Sequence, residues 1–184
     1  MARQTRVITK TRQINILSID PSTTCTGWAL FTCDEKWRGA ELGRYGKIRP
    51  KGDTLFDRRA DLVCELVNVP EYGLECIDYV FIEKAPLPFT PAARRSIAIL
   101  QGTIDILHQD ISTEIPLEQI FGVNAMTWKK TEKKPRTLSR CNLVYSLGLK
   151  GKKDYDIADA IMMGIWIIKR MQVAPLLPFY ISTC

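Results

Sequence analysis

Residues 15–31 read NILSIDPSTTCTGWALF. Ile14, Ile16, Leu17 and Ile19 form an apolar run of strand length that ends on a carboxylate, Asp20, before a Pro-Ser-Thr-Thr turn. A charge at the mouth of a buried strand costs free energy unless a cation or a metal answers it. The reading of the chain turns on what the remaining residues offer Asp20.

Working outward, the first strand covers about Ile14 to Asp20, and CTGWALFTC (Cys25 to Cys33) reads as a second. GAELGRYGKIR (Gly39 to Arg49) alternates as a third, antiparallel strand. Asp53 or Thr54 caps a helix to about Val67, with Leu55, Leu62, Val63 and Leu66 at helical spacing. CIDYVFIEKA (Cys76 to Ala85) is a buried fourth strand, stopped by Pro86, Pro88 and Pro91. A helix over about Ala92 to Gln109 and a fifth strand near Pro116 to Phe121 follow. Short helices over 124–130 and 137–147 and a last helix from Tyr155 to about Met171 complete the pattern. Three strands joined by short turns form a meander, and helical crossovers then add parallel strands. The expected fold is α/β: a mixed five-stranded sheet, three antiparallel strands then parallel ones, with helices on both faces.

The 184 residues are enough for one domain with a substantial core. We expect that domain over 14–172, between a flexible basic tail at 1–13 and a C-terminal tail at 173–184. The net charge of +6 is unevenly spread. Residues 1–14 carry four basic residues and no acid, and residues 124–153 carry nine against Glu132 alone, so the rest of the chain sums to −6. An acidic body with two basic regions favours a polyanionic partner. With no basic amphipathic helix evident, nucleic acid is expected rather than a membrane. The six cysteines contain no CxxC pair and there is one histidine, His108, so no zinc site is expected. From scattered thiols and no secretory-type leader we expect a cytoplasmic chain, in the host cytoplasm if phage-encoded.

Glu83 repeats the Asp20 pattern at the end of YVFIEK. If the first and fourth strands are neighbours, the two acids face each other across about 5 Å. Asp156 and Asp159 stand at i and i+3, on one face of the last helix. Ile157, Ile161, Met162 and Ile165 pack that helix inward, and Asp154 is read as its N-cap. Each acid alone is unremarkable, as a turn cap or a solvated helix face. Four converging carboxylates without His or Cys neighbours are a hard-oxygen set, suited to Mg²⁺, with Mn²⁺ as a substitute. Two ions per site is the arrangement suited to phosphodiester hydrolysis.

ILSIDPSTTCTGWAL, YVFIEKA and DIADAIMMGIW together resemble the three acidic motifs of the RuvC family of Holliday junction resolvases, which has the ribonuclease H-like fold. The resemblance spans about residues 14–172. It implies that Asp20, Glu83, Asp156 and Asp159 are the catalytic, metal-binding carboxylates. It further implies a Mg²⁺-dependent homodimer that nicks two strands of a four-way DNA junction symmetrically. In the basic stretch NAMTWKKTEKKPRTLSR, Lys129 matches a DNA-holding position of the family. Lys130, Lys133, Lys134 and Arg136 are further DNA-binding candidates, the second family lysine falling on Lys133, Lys134 or Arg136. Ser22 stands where the family has glycine, and Phe89 or Leu87 would supply the aromatic wedge that often follows the glutamate.

Trp128 is expected to be an apolar anchor for a short helix, and Trp28 and Trp166 to be core. Three other readings are open to the sequence. An actin-like ATPase would need a second lobe and another glycine-rich phosphate loop, and no Gly-Gly pair exists, so no nucleotide cofactor is expected. A non-cleaving branched-DNA-binding module would gain nothing from anions beside phosphates. A nuclease acting on flaps or RNA–DNA hybrids would share the fold.

Overall fold

The computed structural model describes residues 12–22, 24–71, 73–85 and 91–173. The two expected tails, except for residues 12, 13 and 173, and the wedge candidates Leu87 and Phe89 lie outside the described residues. Strands β1 (Gln13–Asp20), β2 (Thr26–Asp34) and β3 (Glu41–Ile48) form the meander. Helix α1 (Leu55–Val67) leads to β4 (Tyr79–Lys84), and α2 (Pro91–Ile111) leads to β5 (Ile120–Asn124). Helices α3 (Ala125–Trp128), α4 (Lys134–Tyr145) and α5 (Tyr155–Val173) follow. The sheet order is β3-β2-β1-β4-β5, with β2 antiparallel to β1 and β3, and β4 parallel to β1 and β5. The expected five-stranded mixed sheet is therefore present, with β1 in its middle.

Strand alternation divides the core in two. Ile14, Ile16, Ala29, Phe31, Phe81 and Val123 pack under α5, while Leu17, Ile19, Val80, Ile82 and Ile120 pack under α1 and α2. Thr54 caps α1 with a reciprocal box: its hydroxyl accepts the Asp57 N–H, and the Asp57 carboxylate accepts the Thr54 N–H. Among the described residues no helix is long and apolar enough to cross a membrane.

Several boundaries differ from expectation, each for a local reason. Leu74–Cys76 forms a 3-10 turn that buries Leu74, and the Asp78 carboxylate takes the Asn15 N–H, so β4 begins at Tyr79. Another 3-10 turn, Leu117–Gln119 after Pro116, delays β5 to Ile120. Pro135 in the first turn starts α4 at Lys134, where a missing N–H costs nothing. The left-handed Ser146, whose N–H bonds the Asn142 carbonyl, ends it at Tyr145. Helix α3 is only one turn, begun by the Asn124 side chain accepting the Met126 N–H.

Candidate active site

Register and parity fix the first two acids. Ile19 pairs with Ile82 across the parallel β1–β4 ladder, so Asp20 and Glu83 occupy the next step on neighbouring strands. Asp20 shares a face with Ile14, Ile16 and Ser18, and Glu83 shares one with Phe81, which is the α5 side of the sheet. Ser18 confirms the orientation: its hydroxyl donates to the Ala160 carbonyl of α5 at 2.8 Å. Asp20 is 7% exposed and Asp159 only 2%.

Gly27 brings the second pair of acids into range. It pairs with Asp20 across the β1–β2 ladder and lies against the first turn of α5. A Cβ there would stand 2.0 Å from the Asp156 carbonyl oxygen, 2.2 Å from its carbon and 2.8 Å from the Ile157 nitrogen. Only a residue without a side chain permits α5 to begin so close to the sheet end. Gly164, two turns further along, makes a similar approach to the Phe31 ring. Asp156 and Asp159 therefore hang over the ends of β1 and β4.

Two lysines enter this acid cluster. The Lys129 ammonium, just past α3, donates to Asp159 Oδ2. Lys134, at the start of α4, lies 2.7 Å from Asp156 Oδ1 and 3.5 Å from Asp159 Oδ2. Of the three residues left open for the second family lysine, Lys134 is the one beside the acids. Trp128 is 6% exposed and anchors α3 as expected, but its indole Nε1–H also donates to Glu83 Oε2 at 3.0 Å. Sequence reasoning missed that contact, because nothing in a hydrophobic pattern marks which core tryptophan aims its N–H at an acid.

Like charges and burial are written into the proton affinities. Burial, then Glu83, holds the Asp20 carboxyl well above its ordinary range, with Lys134 partly opposing. Burial likewise pushes Glu83 up to about 6, against the pull of Lys129 and the Trp128 hydrogen bond. Asp159 is raised by burial despite its lysine partners. For Lys134, burial opposes the charged form, but Asp20 and the bond to Asp156 outweigh it and its pKa rises.

Among the described residues, no three acids, histidines or cysteines clasp a single point as the side chains stand, and the lysine ammoniums lie among the carboxylates. Yet Asp159 Oδ1 is buried without a hydrogen-bond partner, and an orphaned carboxylate oxygen is costly unless a cation meets it. An all-oxygen set of buried acids on rigid strands and a helix fits Mg²⁺ or Mn²⁺ once the lysines turn aside.

The raised acids set the sign of a pH effect. Groups whose folded pKa exceeds the unfolded value favour the folded state when protonated, so metal-free stability declines as pH rises through that window. For Glu83 the window runs from the ordinary glutamate value of 4.5 to about 6, on the order of 2 kcal/mol. Asp20 and Asp159 add in the same direction. Asp57 and Asp154, whose carboxyls are held below the usual range by hydrogen bonds from Thr54 and Lys47, act oppositely but only below the ordinary aspartate value of 3.8. Thermal melts in chelator should therefore give a higher midpoint near pH 5 than near pH 7.5; a flat or inverted profile would count against the buried like-charge cluster.

Beyond the acids, Lys130, Lys133 and Arg136 are exposed and line an open groove of about 840 Å³ that also takes in Arg140 and Trp166. Glu132 is neutralised there by Arg140 at 2.9 Å and Arg136 at 3.7 Å, leaving the groove basic. Trp166, expected in the core, is instead half-buried at the groove with the Arg170 guanidinium 5.5 Å from its ring. Trp28 is core. The Asp154 carboxylate does not serve as a simple helix cap: it takes Lys47 Nζ and the Lys150 N–H, both at 2.8 Å, pinning β3 to the loop before α5. His108 lies in the last turn of α2, on the sheet face opposite the acids.

No protein-family model matches the chain, and no curated protein matches it by sequence. Solved structures do resemble it. RuvC of Thermus thermophilus in complex with Holliday junction substrate matches with a TM-score of 0.60 at 13% identity, covering 86% of this chain and 96% of that one. Fowlpox virus resolvase with substrate Holliday junction DNA gives 0.53 at 16% identity, over 86% and 99% of the two chains. The yeast mitochondrial Holliday junction resolvase Ydc2 gives 0.56 at 12% identity, over 88% and 80%. The chain thus has the fold of the RuvC-type resolvases.

Proposed function

We propose that this chain, which has the fold of the RuvC-type resolvases, is a structure-specific DNA endonuclease that resolves four-way junctions by paired symmetric nicks. The observation that carries the reading is the meeting of Asp20, Glu83, Asp156 and Asp159 at one end of the β1–β4 pair, with the basic groove on the following elements. Such buried acids repel one another, which is tolerable in a protein that uses them to hold cations and wasteful in one that does not.

Asp20, Glu83, Asp156 and Asp159 would hold divalent ions, Mg²⁺ or Mn²⁺, probed as two per site. Bound there, such ions would supply the Lewis acidity that phosphodiester hydrolysis requires. The chain's own part is orientation. Strands β1 and β4 fix two acids on a rigid sheet, and α5 fixes the other two at one helical turn's spacing. Lys129 and Lys134, once released from the carboxylates, stand ready to pair with the scissile phosphate and its developing charge. Lys130, Lys133 and Arg136 neutralise neighbouring phosphates, which sets affinity and salt dependence without reading sequence. The junction's two-fold symmetry calls for two such sites, and a closed homodimer is the simplest way to supply them.

The decisive experiment incubates the protein with end-labelled four-way junction, linear duplex, flap and RNA–DNA hybrid, with and without Mg²⁺. Paired, symmetric, ligatable nicks confined to the junction and dependent on Mg²⁺ are expected. Cleavage of flaps or hybrids instead would reassign the substrate, and binding without cleavage of any of them would make the chain a branched-DNA binder.

A further inference from the structure

Helix α3 is too short to be stable alone, yet it places two consecutive side chains on two different acids. Strand β5 runs parallel to β4 with Val123 beside Glu83 and Asn124 beside Lys84. Asn124 then caps a single turn, and that turn carries the chain back so that Trp128 reaches Glu83 and Lys129 reaches Asp159. Lys130, left-handed at φ 52°, leads the chain out again.

We propose that Trp128 is a positioning residue for Glu83: its indole N–H occupies Oε2 and so presents Oε1 as the oxygen that takes the metal. The proposal rests on reading the acid cluster as a metal centre. An apolar anchor alone would be served by phenylalanine or leucine. A buried indole N–H needs an acceptor, and the acceptor here is the Glu83 carboxylate near the end of β4. A hydrogen bond to a charged acceptor is roughly twice as strong as a neutral one, and it removes the carboxylate's freedom to rotate. Partners of this kind, one step behind the ligating atom, commonly account for 10- to 100-fold in metal affinity. The Lys129 ammonium lies 5.3 Å from the Trp128 ring centre, so the indole also helps place the neighbouring cation.

The test uses the full chain and a readout that needs no cleavage: Mn²⁺ titration followed by the electron paramagnetic resonance of free Mn²⁺. Trp128→Phe should bind Mn²⁺ about tenfold more weakly than the wild type. In a Glu83→Gln background the same substitution should produce no further loss, since the residue it positions is already gone. Cleavage by Trp128→Phe should recover as Mn²⁺ is raised, the signature of weakened metal occupancy. If the smaller ring destabilises the fold, benzothienylalanine at position 128 keeps the indole's shape with sulfur in place of N–H, and the same tenfold weakening is expected. Equal Mn²⁺ affinity in the wild type and that variant overturns the role of Trp128. A wild type that binds no Mn²⁺ overturns the metal-centre reading itself, and the two failures are distinct.

Discussion

Asp20→Asn should abolish junction cleavage, by about a thousandfold or more, while leaving junction binding in chelator intact and raising the melting temperature of the metal-free protein. The two effects have one cause. Asp20 is buried at the centre of the sheet with Glu83 beside it, and its proton affinity is raised by that burial and that neighbour. Asparagine has nearly the same shape and no charge. It relieves the repulsion in the metal-free fold and removes the anion that a divalent ion would need. Relief of that repulsion shows as a higher melting temperature of the metal-free protein. An ordinary strand-end or turn-capping aspartate would give the opposite thermal result. Retained cleavage would remove Asp20 from the mechanism.

Gly27→Ala should be the most damaging small substitution in the chain. The added methyl would meet the Asp156 carbonyl and the Ile157 nitrogen, all backbone atoms that cannot swing aside. Helix α5 would have to retreat by about 1 Å or more to restore normal contact. A loss of about 3 kcal/mol, or roughly 6–12 °C in melting temperature, is expected. Cleavage should fall by about a hundredfold even where the variant stays folded, because Asp156 and Asp159 move with the helix. Gly43→Ala is the control: its Cβ would lie 3.7 Å from the Leu30 carbonyl on the edge strand, ordinary contact, and it should be close to neutral. Equal behaviour of the two variants in melts and cleavage would show that the approach of α5 to β2 does not set the site.

Much of this site could be read from the chain because strand parity is a strong rule. The alternation through Ile14, Ile16, Ser18 and Asp20 fixes which side the acid faces, and the same count through Phe81 gives Glu83. The i, i+3 spacing of Asp156 and Asp159 needed only helix geometry. What parity does not carry is the path of irregular chain. The choice among Lys133, Lys134 and Arg136 depended on where α4 begins, which Pro135 and the left-handed Lys130 decide together. The contact of Trp128 with Glu83 depends on a one-turn helix whose length no periodicity reveals. The start of β5 slipped because the 3-10 turn after Pro116 uses residues that read equally well as strand. Gly27 reads simply as part of the second strand, and its importance lies in a helix about 130 residues later that no local window contains.

The ammonium groups of Lys129 and Lys134 offset part of the charge of the four acids. The chain thus carries some of its own counter-charge at the site, unlike small domains whose only counter-charge is a metal. The same arrangement ties the arrival of a polyanion to the arrival of divalent ions. A phosphate that draws the lysines toward itself leaves the carboxylates bare, and bare carboxylates attract Mg²⁺ more strongly. By reciprocity the ion then strengthens the hold on the phosphate. Under the proposed function, an arriving substrate phosphate would free the acids for the ions.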